Sequence, residues 1–543
     1  MRKTALILSM MVLSTIVFAA TPSIKAQQEF PWHEPVHFLG PQTTLVLLVD
    51  FTDVKMRIST RQAEQIVKLV DDFIRRSSYG KTWLDYYIHS RIITLPKPMS
   101  YYGAPPSGAQ RGDDNKRIVE YHYTIIKLAK EREGIDLTRF KHVIVIHAGK
   151  DEAVGGTAND IWSHCYSTKP IYFLIEEYGF DAAERQLRTW GADWAVDLFM
   201  HRKPDGTGHL IAGIETVAEE DMPSVMMHEF THSMWIADHY VYDKDGYSAG
   251  SEVGVWTNMD YGSALEPPVD IDGWSKYLLG WVEAKEVTRS GEYTIHMIDK
   301  PDEPHALIIP INDREYYFLH ARRPVGQDAA LPGPGILLFR VNKYVRDNVV
   351  DQEYFIRLLD AHPETPNECG ALERRRVRLC EGVDAPFFSD EGFRRVWEMR
   401  TQRGSMGAFE IGLLSSEYTT EEGYYIRVLE VDVNRGTVKV FVGLEGQRSE
   451  EPRRDEAVRT VTRTVTGTVE KTVYTTVTAR GRTTETVMVT VTVKPPPRET
   501  SFEDYVSLAV VLAALLMAVG LMVGRRRVQP RYPPPPPPPY RRM

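Results

Sequence analysis

Runs dominated by apolar residues stand at Thr44–Phe51, "TLVLLVDF", and at His142–Gly149, "HVIVIHAG". Short runs of this kind, rich in β-branched residues and closed by Asp or Gly, predict strands buried on both faces. Between them, Thr60–Arg76 repeats apolar residues three and four apart, which predicts a helix. Another helix is expected to open at Asp221, an N-cap residue type, with Pro223 in its first turn. After Val287 the period falls to two. "EYYFLHA", "GILLFRV", "YYIRVLEV" and "TVKVFVG" follow one another, separated by Gly, Pro and Asp. Such runs predict a β-sandwich, and the change of period places a domain boundary near residue 290.

Beyond residue 446 the pattern is no longer that of a core. Thr and Val alternate through Arg459–Val493 until Pro495–Pro497 end the run. Alternating β-branched residues favour extended chain, so 447–504 reads as a Thr-rich stalk that could carry O-glycans. A pair of strands attached to the preceding domain is the rival reading. Tyr505–Gly524 is apolar and free of charge, long enough to cross the ~30 Å of a bilayer core. Arg525, Arg526 and Arg527 follow at once. Positive residues stay on the cytoplasmic side, which puts 525–543 inside and the preceding domains outside. "YPPPPPPPY", Tyr532–Tyr540, is expected to be polyproline II. At the other end, Arg2 and Lys3 precede the apolar run Ala5–Ala20 and small residues follow, the layout of a secretory signal over 1–26.

The expected partition is therefore a leader at 1–26, an α/β domain at 27–290, a β-rich domain at 291–446, the stalk, a transmembrane helix at 505–524 and a basic, Pro-rich tail. A chain of 543 residues is too long for one core. Net charge is −9 with no long basic run, which excludes nucleic acid as the main partner. Cys369 and Cys380 could pair, leaving Cys165 over. No Asn-x-Ser/Thr sequon occurs.

The chemistry concentrates in "MMHEFTHSMWIADHY", Met226–Tyr240. On a helix, His228 and His232 lie one turn apart on one face, able to reach one zinc ion, with Glu229 beside them as a base. Zinc in a catalytic site takes three protein donors, so one is missing. A continued helix would carry His239 about 10 Å along the axis from His232, out of reach of the same ion. The chain must turn back. A third donor six residues after the second His resembles the metzincin spacing, in which Gly makes the turn. Counting gives Asp238, with Trp235 in the Gly position, where a left-handed backbone is unfavourable for Trp. His239 and the more distant Glu252 are the other candidates. Downstream, "WTNMDYG" places Met259 and Tyr261 as a metzincin Met-turn and its Tyr would stand.

With these residues in view, the chain resembles the immune-inhibitor-A-like family of secreted zinc metalloproteases. "LLVDFTDVK", "SYGKTWLDYY" and "VIHAGKDEAVGG…NDIWSHC" are similar to successive landmarks of that family's catalytic domain. "DIDGWSKYLLGWV" (Asp270–Val282) and "EYYFLHARRPVGQDAALPGPGILLFRVN" (Glu315–Asn342) are similar to its later segments. The resemblance covers much of 44–345. It implies a metzincin-like α/β catalytic domain and zinc endopeptidase activity on protein or peptide substrates. It also implies ligands at His228, His232 and Asp238 and Glu229 as the base; Tyr261, two residues after Met259, is expected to stabilise the oxyanion. Relatives often bind calcium, for which Asp243–Gly246, "DKDG", is a weak candidate and a solvated turn the plainer reading. The alternative, kept open by Trp235, is a non-catalytic surface or envelope binding protein on a metalloprotease fold.

Overall fold

Leu45, Val46, Leu47, Leu48 and Val49 are all fully buried. The strand that holds them, Gly40–Asp50, therefore has a packed layer on each face. The computed structural model describes residues 30–103, 115–152, 156–221, 223–243, 246, 248–265, 267–331, 334–359 and 417–444. The leader, the stalk, the span, the tail, Cys369 and Cys380 lie outside the described residues. Among those described, no helix is long and apolar enough to cross a membrane.

The first sheet runs in the order Thr82–Ile88, Gly40–Asp50, His142–His147, Gly213–Ala218, His164–Ser167, with Ile93–Thr94 paired to the far end of Gly40–Asp50. Its pairings are parallel except the last, where His164–Ser167 lies antiparallel along Gly213–Ala218 as an edge. Successive residues of a strand face opposite ways, and the cores divide accordingly. Val46, Leu48, Ile144 and Ile146 enter the core that also holds Met226, Met227 and Phe230 of the helix Pro223–Ser233. Leu45, Leu47, Val143 and Val145 enter a second core with Ile118, Tyr121 and Ile125 of the helix Asn115–Glu131.

The predicted helix at Thr60 spans Thr60–Ser77. It opens with a capping box: Ser59 Oγ accepts from Gln62 N–H (3.3 Å), and Gln62 Oε1 accepts from Ser59 N–H (3.0 Å). Ala63, Val67, Val70, Phe73 and Ile74 form its buried stripe.

The β-rich part is two sheets. One is ordered Ala284–Glu286, Ala306–Pro310, Glu315–Arg322, Gly335–Asn342, Ile356–Leu358; the other Gly291–His296, Thr437–Gly443, Tyr425–Asp432, Glu417–Thr419. Leu307, Leu319, Leu338, Val428, Val438 and Val440 share the core between them. The alternate residues Phe318, Leu337 and Phe339 face the other way, into the core of the helix Pro223–Ser233. The five-stranded sheet is thus the middle layer between the two halves. Its first strand begins at Ala284, ahead of the predicted boundary, and the described residues fall in one compact unit.

Candidate metal centre

Pro223 opens the helix that carries the His-Glu-x-x-His motif. Proline suits a first turn, where the missing N–H has no partner to lose. The Asp221 carboxylate accepts from Ala218 N–H (2.7 Å) and Ser163 Oγ (2.8 Å). The helix sits very close to the sheet. A Cβ on Gly213 would stand 2.4 Å from Ser233 Oγ, so only glycine fits there. Ser233 in turn meets His142 Nδ1 at 2.7 Å, and His142 Nε2 meets Gln42 Oε1 at 3.2 Å. Burial pushes the His142 pKa down to about 3, so this tie between helix and sheet is neutral.

The helix ends as the donor spacing requires. Trp235 N–H donates to His232 O (2.8 Å) and Ile236 N–H to Thr231 O (3.4 Å), the paired bonds of a Schellman turn. Trp235 takes the left-handed position of that turn, at φ +70, which costs a non-glycine residue about 1–2 kcal/mol. The indole offsets this. It is buried, donates Nε1–H to Ala212 O at 2.8 Å, and packs against Phe38 and Tyr172 at ring separations of 5.0 and 4.8 Å.

The turn brings Asp238 back over the helix. Asp238 Oδ1 lies 3.1 Å from His228 Nε2 and 3.1 Å from His232 Nε2, and the two Nε2 atoms are 3.1 Å apart. These three donors form the only group of its kind among the described residues. His239 is not in it. That ring is fully buried, with Nδ1 3.4 Å from Asp272 Oδ2 and Nε2 3.4 Å from Ser275 Oγ. Glu252 is not in it either; its backbone N–H donates to Asp260 Oδ2 (3.1 Å). Asp260 also accepts from the N–H of Val253 (2.9 Å) and Gly254 (2.8 Å) and fixes the loop before Tyr261. Met259 is fully buried, and its carbonyl accepts from His239 N–H at 2.8 Å. Tyr261 begins the 3-10 turn Tyr261–Ala264 and is half-buried. The "DKDG" turn lies partly outside the described residues.

The donor set fits zinc. His228 Nδ1 meets Asn258 O and His232 Nδ1 meets Ile236 O, both at 2.7 Å. Carbonyls accept only, so both Nδ1 atoms carry protons and the Nε2 lone pairs of the neutral rings face inward. Asp238 Oδ1 is buried without a hydrogen-bond partner. Tetrahedral zinc with bonds of about 2.0–2.1 Å holds its donors about 3.3 Å apart, close to the spacing here. Burial lowers the pKa of each imidazole, but Asp238 outweighs it and both stand above their usual value. Burial likewise raises Asp238, and the imidazoles outweigh that and hold it well below the carboxylate range.

Glu229 occupies the next helix position and is buried. Burial pushes its carboxyl up to about 8, against the lowering influence of His228. Tyr242 was not anticipated from the sequence. Its hydroxyl donates to Asp238 Oδ2, the oxygen turned away from the imidazoles. A signal was available, since Asp238, Tyr240 and Tyr242 recur every second residue, the spacing that shares one side of an extended chain. No family model matches the chain, and no curated protein matches it.

Proposed function

We propose that the chain is a zinc-dependent endopeptidase held at the outer side of a membrane. The observation that carries this reading is the 3.1 Å triangle of His228 Nε2, His232 Nε2 and Asp238 Oδ1, with the buried carboxyl of Glu229 one helix position away. Zinc, when bound there, supplies Lewis-acid polarisation for hydrolysis of a peptide bond. With a cation's charge beside it Glu229 would be held ionised, would take the proton of the attacking water and would later return it to the leaving amine. Tyr261, two residues after Met259, is the proposed donor to the carbonyl oxygen as negative charge gathers on it.

The full chain in detergent is expected to hold about one zinc per molecule. It should digest casein, stop on addition of a chelator, and recover when zinc is restored. Digestion that ignores the chelator, or a protein without zinc, overturns the proposal. Topology is tested separately. On intact cells, added protease is expected to remove an epitope placed in the 27–446 region and to spare one placed after Arg527, following the positive cluster at Arg525–Arg527. The reverse pattern refutes the orientation.

A further inference from the structure

The third donor is not held by its own helix. Asp238 lies beyond the Schellman turn, in a stretch that includes only the short strand Val241–Tyr242. What fixes it comes from more than a hundred residues away. Tyr242 N–H donates to Asn348 O at 2.8 Å, and Val350 N–H donates to Tyr242 O at 2.8 Å. Together these form a parallel bridge between Tyr242 and Val349. Asn348 is fully buried, and its Nδ2 donates to His239 O at 3.2 Å. Its Oδ1 accepts from Phe355 N–H (3.0 Å) and Ile356 N–H (3.3 Å), the entry to the last strand of the five-stranded sheet. The backbone on both sides of Tyr240 is therefore tied to the β-rich region.

Tyr242 carries this restraint to the carboxylate. Its phenol has one proton, and that proton goes to Asp238 Oδ2. The Tyr240 hydroxyl stands 3.3 Å from the Tyr242 hydroxyl and also interacts with the Asp238 carboxylate. A carboxylate with its outer oxygen so bound can turn neither that oxygen nor its plane away from the imidazoles. Outer hydrogen bonds of this kind set the orientation and basicity of a metal ligand.

We propose that Tyr242 is the positioning residue of the metal centre: its hydroxyl fixes the outer oxygen of Asp238, and residues 348–350 of the β-rich region hold Tyr242 in place. The proposal rests on the zinc site put forward above. The β-rich region is then part of the metal centre rather than an appended module, and metal binding and the docking of residues 348–350 stabilise each other.

Tyr242→Phe removes one hydroxyl and leaves the ring and the backbone bridge. It is expected to weaken zinc 10–100-fold, the usual range for an outer partner of a ligand. The melting temperature of the metal-free protein should fall modestly, because a buried carboxylate oxygen loses its partner, so the affinity is compared under conditions where both proteins are folded. Tyr240→Phe, which leaves the Tyr242 hydroxyl on Asp238 Oδ2, should weaken zinc less. Cobalt(II) in place of zinc gives a second readout, since its visible bands report ligand geometry and should change in Tyr242→Phe. Zinc added to the wild-type protein should slow hydrogen exchange at the Tyr242 and Val350 amides. If the wild-type protein binds zinc and Tyr242→Phe binds it within two-fold as tightly, Tyr242 has no positioning role. If zinc leaves exchange at Val350 unchanged, the coupling to the β-rich region fails. If the wild-type protein binds no zinc, the zinc site itself falls and this proposal with it.

Discussion

Glu229→Ala is expected to keep the metal and to lose turnover by roughly 10²–10⁴-fold, the range a general acid–base group contributes. Metal retention follows because Glu229 is not among the three converging donors, which are His228, His232 and Asp238. The helix should also survive, since alanine is the best helix former. The chemistry should not survive, because an alanine methyl cannot carry a proton from water to the leaving amine. The loss should appear in kcat, with KM little changed, since the carboxyl is assigned to proton transfer and not to substrate binding. Stability should move the other way, if at all. Glu229 is buried, and burial has pushed its carboxyl up to about 8, so the folded state bears the cost of an acid kept from water. Removing that acid should leave the metal-free protein melting no lower than wild type. Peptide turnover, zinc content and thermal melting of the same preparation check all three. Activity within a few-fold of wild type, with zinc still bound, removes Glu229 from the proton pathway.

The sequence marked the elements whose burial is continuous or strictly periodic. "TLVLLVDF" and "HVIVIHAG" are buried strands because a parallel sheet covered on both sides tolerates only apolar residues. Thr60–Ser77 was legible from its stripe, and "EYYFLHA" and "GILLFRV" from their alternation. The edge strand His164–Ser167 was not. It is four residues, "HCYS", with no apolar rhythm, and it exists because Gly213–Ala218 offers an open ladder beside it. The boundary at residue 290 is softer than the change of period suggests. Strand Ala284–Glu286 belongs to the five-stranded sheet, and Phe318 and Phe339 of that sheet enter the core under the motif helix. Within the candidate site, spacing alone pointed to both histidines and the neighbouring glutamate. Nothing local could name Asn348, whose bond to His239 spans 109 residues. Trp235 shows how a propensity rule yields to tertiary context. Left-handed backbone is disfavoured for Trp, and a pocket that buries the indole and accepts its N–H offsets that cost.

Asp238→Ala is expected to weaken zinc more than about 100-fold, beyond what loss of an outer partner produces, whereas His239→Ala should leave zinc affinity within a few-fold of wild type. The two residues are neighbours, and the turn aims them apart. Asp238 Oδ1 reaches both Nε2 atoms at 3.1 Å, while the fully buried His239 ring lies between Asp272 and Ser275. A carboxylate also offsets the charge of the ion, which a third neutral imidazole does not. His239→Ala should still lower the melting temperature, because it empties a buried site against Trp274 and Phe355. Its metal-side role is carried by the backbone, through N–H to Met259 O and C=O to Asn348 Nδ2, and backbone groups survive the substitution. Trp235→Gly completes the test of the turn. Glycine removes about 1–2 kcal/mol of left-handed strain, but loss of a buried indole costs about 3–5 kcal/mol. The variant should therefore melt lower and still bind zinc like the wild type, since glycine makes the same Schellman turn. Calorimetric titration of the three variants with zinc, beside their metal-free melting curves, separates ligand from scaffold. Zinc lost in His239→Ala and kept in Asp238→Ala would show that the chain after Trp235 follows another path and that the third donor is the imidazole.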